Sequence, residues 1–143
     1  MTKSLTGAVA IVGGSLAGLA TGVGLARAGL PGNVFEQNAG EERGGTGLGV
    51  DRTLIAETTG VDARVDGLTP ALPVVDEGDR ETSTWLAIYR WLRAVADATD
   101  GLNVHESARV DAVSSDEHAA HLSGANVSAS AAVVIGADGY RSA

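Results

Sequence analysis

Cysteine is absent from the 143 residues, which excludes disulfides, thiolate metal sites and a cysteine nucleophile. Aromatics are scarce, two Trp, two Tyr and one Phe, so any core is built from small and branched aliphatic side chains. Basic residues are outnumbered, ten Lys and Arg against eighteen Asp and Glu. The net charge of −8 argues against nucleic acid or an anionic membrane as a partner. No apolar run reaches membrane-spanning length, and the opening MTKSLTG lacks the apolar region of a signal peptide. A soluble, cytoplasmic protein is expected. Internal repeats and low-complexity tracts are lacking as well. What is there is 44% hydrophobic, too much for disorder. A chain of this length buries roughly two-thirds of its unfolded surface, enough for a domain with its own core.

The organising stretch is AVAIVGGSLAGLATGVGLARAGLPGNVFE, residues 8–36. Its apolar run 8–12 reads as a buried parallel strand. Gly13, Gly14 and Gly18 then turn the chain into a helix over 16–28, and a second β-type run, 33–36, ends on Glu36. This is the order of a dinucleotide-binding βαβ unit. The glycines allow a tight turn and close helix–strand approach, and the helix N-terminus faces a pyrophosphate. Glu36 lies 18 residues past Gly18, near the distance for an acid that binds a ribose 2′-hydroxyl. The fingerprint Gly-x-Gly-x-x-Gly has Ser15 at its middle glycine. A serine fits there if its φ stays negative, and its hydroxyl can donate to phosphate. Gly22 and Gly24 inside the helix each cost up to about 1 kcal/mol relative to alanine, and close packing of helix on sheet is the reading that explains them.

After Glu36 comes a polar, glycine-rich loop over 38–49, in which Arg43 precedes four glycines in six residues, so that backbone can approach a ligand closely. Asp51 reads as the N-cap of a helix over 52–60. Residues 68–75 carry two prolines and read as extended edge structure. DEGDRE at 76–81 reads as a solvated hairpin turn rather than a metal site. Thr82-Ser83-Thr84 starts a helix over 85–98, with Leu86, Tyr89, Leu92, Val95 and Ala96 at helical spacing and Trp85 and Trp91 in core or rim packing. From Leu102 the period switches to two. Four strands are expected with turns at 114–116 and 124–126, the last strand (131–135) being a buried apolar run before Gly136-Ala137-Asp138-Gly139. His105, His118 and His121 fall at strand-type positions, with surface or cross-strand roles. The predicted fold class is α/β, a Rossmann-like parallel sheet with helices and an antiparallel β-meander before the final strand.

Three separated segments, IVGGSLAGLA with VFE, RGGTGLG, and VVIGADGYRSA, resemble the FAD-binding domain of the class A flavoprotein monooxygenases, the para-hydroxybenzoate hydroxylase-like enzymes. The nearest branch is similar to the 2,6-dihydroxypyridine hydroxylase group, which tolerates VGGS-type fingerprints. The second segment is similar to the family's Arg-Gly-x-Gly. The third is similar to its Gly-Ala-Asp-Gly-x-x-Ser-x-x-Arg, and STWLAIYRWLR to its Tyr-Arg helix against the cofactor. The resemblance implies non-covalent FAD binding over residues 1–143. It puts the pyrophosphate on the turn Gly13, Gly14, Ser15, Leu16, Ala17 and Gly18, and the adenosine ribose on Glu36. Gln37 stands where the family has Arg. Arg43 and Arg90 would lie along the pyrophosphate and ribityl chain. Asp138, between Gly136 and Gly139, would accept a hydrogen bond from that region, and backbone near Val110 would meet adenine. The bland alternatives are a loop charge for Arg43, a helix-face ion pair for Arg90 and a turn residue for Asp138.

Family members continue well beyond the Asp-Gly motif, so the resemblance implies an excised or miniaturised FAD module without the substrate domain. Its expected activity is at most that of a flavin-dependent oxidoreductase, with NAD(P)H a possible reductant and no catalytic acid or base assigned. Apolar surface left uncovered by a missing domain predicts two-fold self-association into a homodimer. The rival readings are a complete small NAD(P)H oxidase and an NAD-binding module, which Glu36 would serve equally well.

Overall fold

The computed structural model describes residues 4–39 and 46–139. Strand β1 (Ser4–Val12) leads through a turn into helix α1 (Leu16–Arg27), and the chain returns in β2 (Gly32–Phe35), parallel to β1. Ile11 of β1, Leu19 and Val23 of α1 and Val34 of β2 are all fully buried against one another's elements. Such side chains contribute roughly 1.5–3 kcal/mol each when removed from water. Gly22 has the packing role its position suggests. A Cβ there would meet Leu102 Cδ1 at 2.9 Å and Val34 at 3.3 Å, so a larger residue would require the Leu102 side chain to shift. Gly24 has ordinary room, its nearest neighbour being Thr58 at 3.6 Å.

The segment after Glu36 departs from the expected loop. Residues 47–50 form β3 (Gly47–Val50), the edge of a separate three-stranded antiparallel sheet with β4 (Val75–Asp76) and β5 (Glu81–Thr84) in the order β3-β5-β4. Between them runs α2 (Arg52–Thr59), capped as expected by the Asp51 carboxylate, which accepts from Thr53 and Leu54 N–H at 3.0 Å each. At its other end Arg27 donates to the Glu57 and Thr58 carbonyls (2.9 and 2.8 Å), supplying a cation to the negative end of the helix. DEGDRE does turn a hairpin, closed by Glu77 N–H to Arg80 C=O at 2.8 Å. Thr82-Ser83-Thr84 is strand rather than helix start. Pairing with β3 holds it extended, and Thr84 alone serves the helix, its hydroxyl accepting from Ala87 N–H at 3.1 Å. Of the extended run before it, only Val75 is in a strand, and Leu72 is a buried core residue.

Helix α3 (Trp85–Asp97) buries Ile88, Tyr89, Trp91, Leu92, Val95 and Ala96. It delivers the chain to β6 (Leu102–His105), which pairs parallel with β2 and closes one edge of the main sheet. The expectation that this segment opens the antiparallel meander is thus corrected: a helical crossover precedes it, and such a connection produces parallel pairing. The meander consists of β7 (Ala112–Ser115), β8 (Ala120–Ser123) and β9 (Ser128–Gly136), and β9 then lies parallel to β1. The six-stranded order is β6-β2-β1-β9-β8-β7. Val9 and Ile11 face α1 and α3, whereas Ala10 joins Phe35, Leu122 and Val127 in a second cluster. The run 131–135 is less buried than its composition suggests, with Val133 52% exposed. No helix among the described residues is long and apolar enough to cross a membrane.

The β7–β8 turn is held by Asp116, whose carboxylate accepts from His118 N–H at 2.7 Å, His121 Nε2 at 2.6 Å and Ala119 N–H at 2.9 Å. A carboxylate only accepts, so the His121 proton sits on Nε2, and in the neutral ring Nδ1 accepts from Ser130 at 3.0 Å across to β9. The His118 amide, then the His121 ring, lower the Asp116 carboxyl from its ordinary 3.8 to about 2. A depressed folded value means that the turn's stabilisation is complete above about pH 4 and is lost as pH falls through about 2. An NMR titration of the Asp116 carboxyl carbon is expected to show its midpoint near 2; a midpoint near 3.8 would refute the arrangement.

Candidate functional site

The C-terminal ends of β1, β2 and β9 meet at one edge of the sheet, the edge where parallel α/β sheets form crevices. Gly13 N–H donates to Phe35 C=O at 2.9 Å, and Ala137 N–H donates to Val12 C=O at 2.7 Å, so the three chain exits are laced together. Gly13 has φ +108°, and a Cβ there would run into the Ala137 carbonyl and the Asp138 Cα. The turn can form only with glycine at this position. Gly18 is packed directly beneath the Gly13 carbonyl, which brings the first turn of α1 against the end of β1.

A cleft of about 300 Å³ opens on this edge. One side is the β1–α1 turn, Gly13, Gly14, Ser15 and Ala17. Ser15 is the N-cap of α1 with φ −86°, and its side chain makes no capping bond. No acid occupies the first turn of α1 itself, and the carboxylate standing at this positive helix end is that of Glu36, on Gly14 N–H. Glu36 stands across the mouth of the turn, accepting from Gly14 N–H through Oε2 at 2.8 Å and from Asn38 N–H through Oε1 at 2.9 Å. Each oxygen keeps a lone pair for a further donor.

Past Glu36 the wall is made of two hydrogen-bonded backbone segments, 36–38 and 105–110, which continue β2 and β6. Glu36 N–H donates to His105 C=O (2.8 Å), Ala108 N–H to Glu36 C=O (2.8 Å) and Ser107 N–H to Asn38 C=O (3.1 Å). Gln37 and Asn38 line it on one side, Ala108, Arg109 and Val110 on the other. Beneath lie Val12 and Phe35, and Phe35 is stacked on His105 with centroids 5.3 Å apart. Across β1 from Glu36 the lining is Ala137, Asp138 and Gly139, and the cleft is also lined by Trp85 and Tyr89, whose rings stack at 5.0 Å and 9°.

Of the candidate residues, Gly13, Gly14, Ser15, Ala17, Glu36, Gln37, Val110, Asp138 and Gly139 therefore come together along one cleft. Leu16 packs into the core instead and Gly18 is buried under the turn, both shaping it without lining it. Gly136 ends β9 short of the lining, and Arg90 lies on an exposed face of α3 outside it. Arg43 falls outside the described residues. Sequence reasoning passed over Trp85, set in core or rim packing, whereas Tyr89 lies on the helix that the resemblance puts against the cofactor; both line the cleft. It also passed over Arg109, which carries no local signal because its neighbours across the cleft are more than 70 residues away in sequence.

No protein-family model and no curated protein sequence matches the chain. Solved structures do. The flavin-dependent monooxygenase PieE, in complex with FAD and substrate, is 18% identical with a TM-score of 0.75, covering 96% of this chain and 31% of its own. The p-nitrophenol 4-monooxygenase PnpA of Pseudomonas putida is 17% identical with a TM-score of 0.76, covering 98% of this chain and 42% of its own. The anhydrotetracycline hydroxylase OxyS of Streptomyces rimosus is 18% identical with a TM-score of 0.72, covering 94% and 32%. The chain shares the Rossmann-like α/β fold of these structures and spans between 31% and 42% of their lengths.

The geometry at Gly13 has a direct consequence. Gly13→Ala forces a side chain into a left-handed conformation against the Ala137 backbone, a strain of about 1–3 kcal/mol. The midpoint of urea unfolding is expected to fall by that free energy divided by the slope, with the slope unchanged. An unchanged midpoint would show that the turn is not tied to the exit of β9.

Proposed function

We propose that this chain is a non-covalent FAD-binding module, residues 1–143 forming the cofactor domain of a flavin-dependent oxidoreductase. The observation that carries the reading is the single cleft that joins the glycine turn, Glu36 and Asp138 at the ends of three parallel strands. The residues present fit the group. The β1–α1 turn lines the cleft beside Glu36, whose oxygens each keep room for a further donor, and Ser15 keeps the negative φ under which a serine is tolerated there.

In this reading the α1 N-terminus and the Ser15 hydroxyl donate to the pyrophosphate, where a doubly charged group gains most from the helix end. Glu36 accepts from a ribose hydroxyl while still holding Gly14 and Asn38, so binding adds a bond to a carboxylate already fixed in place. Preorganisation of this kind spares the ordering cost of the side chain. Asp138, one residue beyond the Ala137 amide that is bonded to Val12, accepts from the part of the cofactor beyond the pyrophosphate. Bound FAD supplies the redox chemistry, with NAD(P)H as the proposed electron source. Ala137, Asp138 and Gly139 line the cleft, and this segment, similar to the flavoprotein Asp-Gly motif, is what favours FAD over NAD.

Titration of the purified polypeptide is expected to give much tighter binding of FAD than of FMN or riboflavin. Glu36→Ala should weaken FAD by about 1–3 kcal/mol, the scale for a lost hydrogen bond to a charged group, and leave FMN unchanged. Equal affinities for FAD and FMN would sink the reading, and a preference for NADH would transfer the site to the NAD-binding alternative.

Hydroxylation requires a ring held within a few ångströms of the flavin and shielded from water. Most of the length of PieE, PnpA and OxyS has no counterpart in these 143 residues. The polypeptide with FAD is therefore expected to consume NADPH no faster than free FAD, yielding hydrogen peroxide. The assay follows NADPH, peroxide and ring product with 2,6-dihydroxypyridine or para-hydroxybenzoate present. Stoichiometric hydroxylated product would show that the 143 residues form a complete enzyme.

A further inference from the structure

Arg109 is the one cationic residue lining the cleft among the described residues, and the reading above gives it no role. Its backbone is fixed on both sides. Ala108 N–H is bonded to Glu36 C=O at 2.8 Å, Asp111 N–H to Ser123 C=O at 2.8 Å, and the β8–β9 turn is packed so closely that a Cβ on Gly124 would strike the Arg109 carbonyl. Its side chain is 67% exposed and pairs only two residues along the chain with Asp111, itself 51% exposed, at 2.9 Å. An exposed pair of this kind contributes little to stability and is easily exchanged. The residue therefore combines a rigid base with a guanidinium that can change partners.

Its place along the cleft decides which partner. If the pyrophosphate sits on α1 and a ribose on Glu36, the base carried by that ribose continues away from the pyrophosphate. It must then enter the wall stitched to Glu36, between 36–38 and 108–110. That wall offers the apolar surfaces of Phe35, Ala108 and Val110 to one face of a planar ring. A guanidinium is planar and weakly hydrated, and it stacks on aromatic faces as an ammonium does not.

Resting on the FAD reading, we infer that Arg109 is a specificity residue for the nucleobase end of the dinucleotide. On binding, its guanidinium leaves Asp111 and closes over the exposed face of the base. No covalent or redox step is involved. Asp111 is then the resting partner that the guanidinium gives up on binding.

The test compares wild type, Arg109→Ala, Arg109→Lys and Asp111→Asn by titration with FAD, FMN and ADP, with the thermal midpoint of each variant measured alongside. Arg109→Ala is expected to lose about 5- to 10-fold in affinity for both FAD and ADP. FMN binding, which involves no adenine, is unchanged. Arg109→Lys should lose nearly as much, because charge without a planar face does not restore the stack. Asp111→Asn should bind FAD as well as wild type or up to about 3-fold better. Thermal midpoints should not separate the four proteins, since the exchanged pair is a weak one. Full retention by Arg109→Lys would overturn the stacking role in favour of a simple charge effect. Unchanged FAD affinity in Arg109→Ala would overturn the proposal while leaving FAD binding intact. Failure of the wild type to bind either FAD or ADP would instead remove the FAD reading itself, and this inference with it.

Discussion

The site depends on one close approach, that of the turn after β1 to the backbone leaving β9. Gly13 spans it with φ +108°, donating its amide to Phe35 while Ala137 donates back to Val12. Two hydrogen bonds thereby fix three strand exits with respect to each other, and no side chain shares the space. The cleft is the gap that remains once these backbones are tied. Its mouth is closed by Glu36, whose carboxylate reaches the next amide along the turn at 2.8 Å. A strand exit, a helix start and an acid are consequently one rigid unit.

That unit is also where the core is most heavily committed. Of the five largest fully buried side chains, Ile11, Leu19, Val23 and Val34 belong to β1, α1 and β2, and Val95 of α3 is the fifth. With so few aromatics, the chain obtains its packing from close approach rather than from large side chains. Gly22 lets α1 settle on Leu102 and Val34 so closely that a methyl group would have to displace the Leu102 side chain. The helical glycine lowers intrinsic helix stability by about 1 kcal/mol, an amount offset by burial of the branched residues around it. Stability and site are coupled through this choice, because the helix whose N-terminus faces the cleft is the one set down so tightly.

The distal wall follows another logic. It is assembled from the 105–110 segment, which reaches Glu36 only because β6 pairs parallel with β2 and carries the chain out beside it. The antiparallel meander then returns through β8 and β9, and the Gly124 turn supports Arg109 from behind. A peripheral hairpin thus determines the position of a residue in the cleft, although its strand β7 is exposed throughout.

Much was determined by the sequence alone. The β1–α1–β2 order, the glycine turn, the Asp51 cap, the hairpin at 76–81 and the partner strand β9 are encoded by residues close together in the chain. Apolar period, capping chemistry and turn preference act over a few residues, and so they are readable there. Other features were decided only by the tertiary structure. Residues 47–50 and 81–84 became strands because they pair with each other across more than 30 positions, against local glycine and cap-like signals. Likewise β6 took a parallel partner, Val133 was left uncovered, and Arg109 and the Trp85–Tyr89 stack came to the cleft that Glu36 closes. Strand direction and the far wall of a cleft are set by pairing between distant segments, and no window of neighbouring residues contains that information.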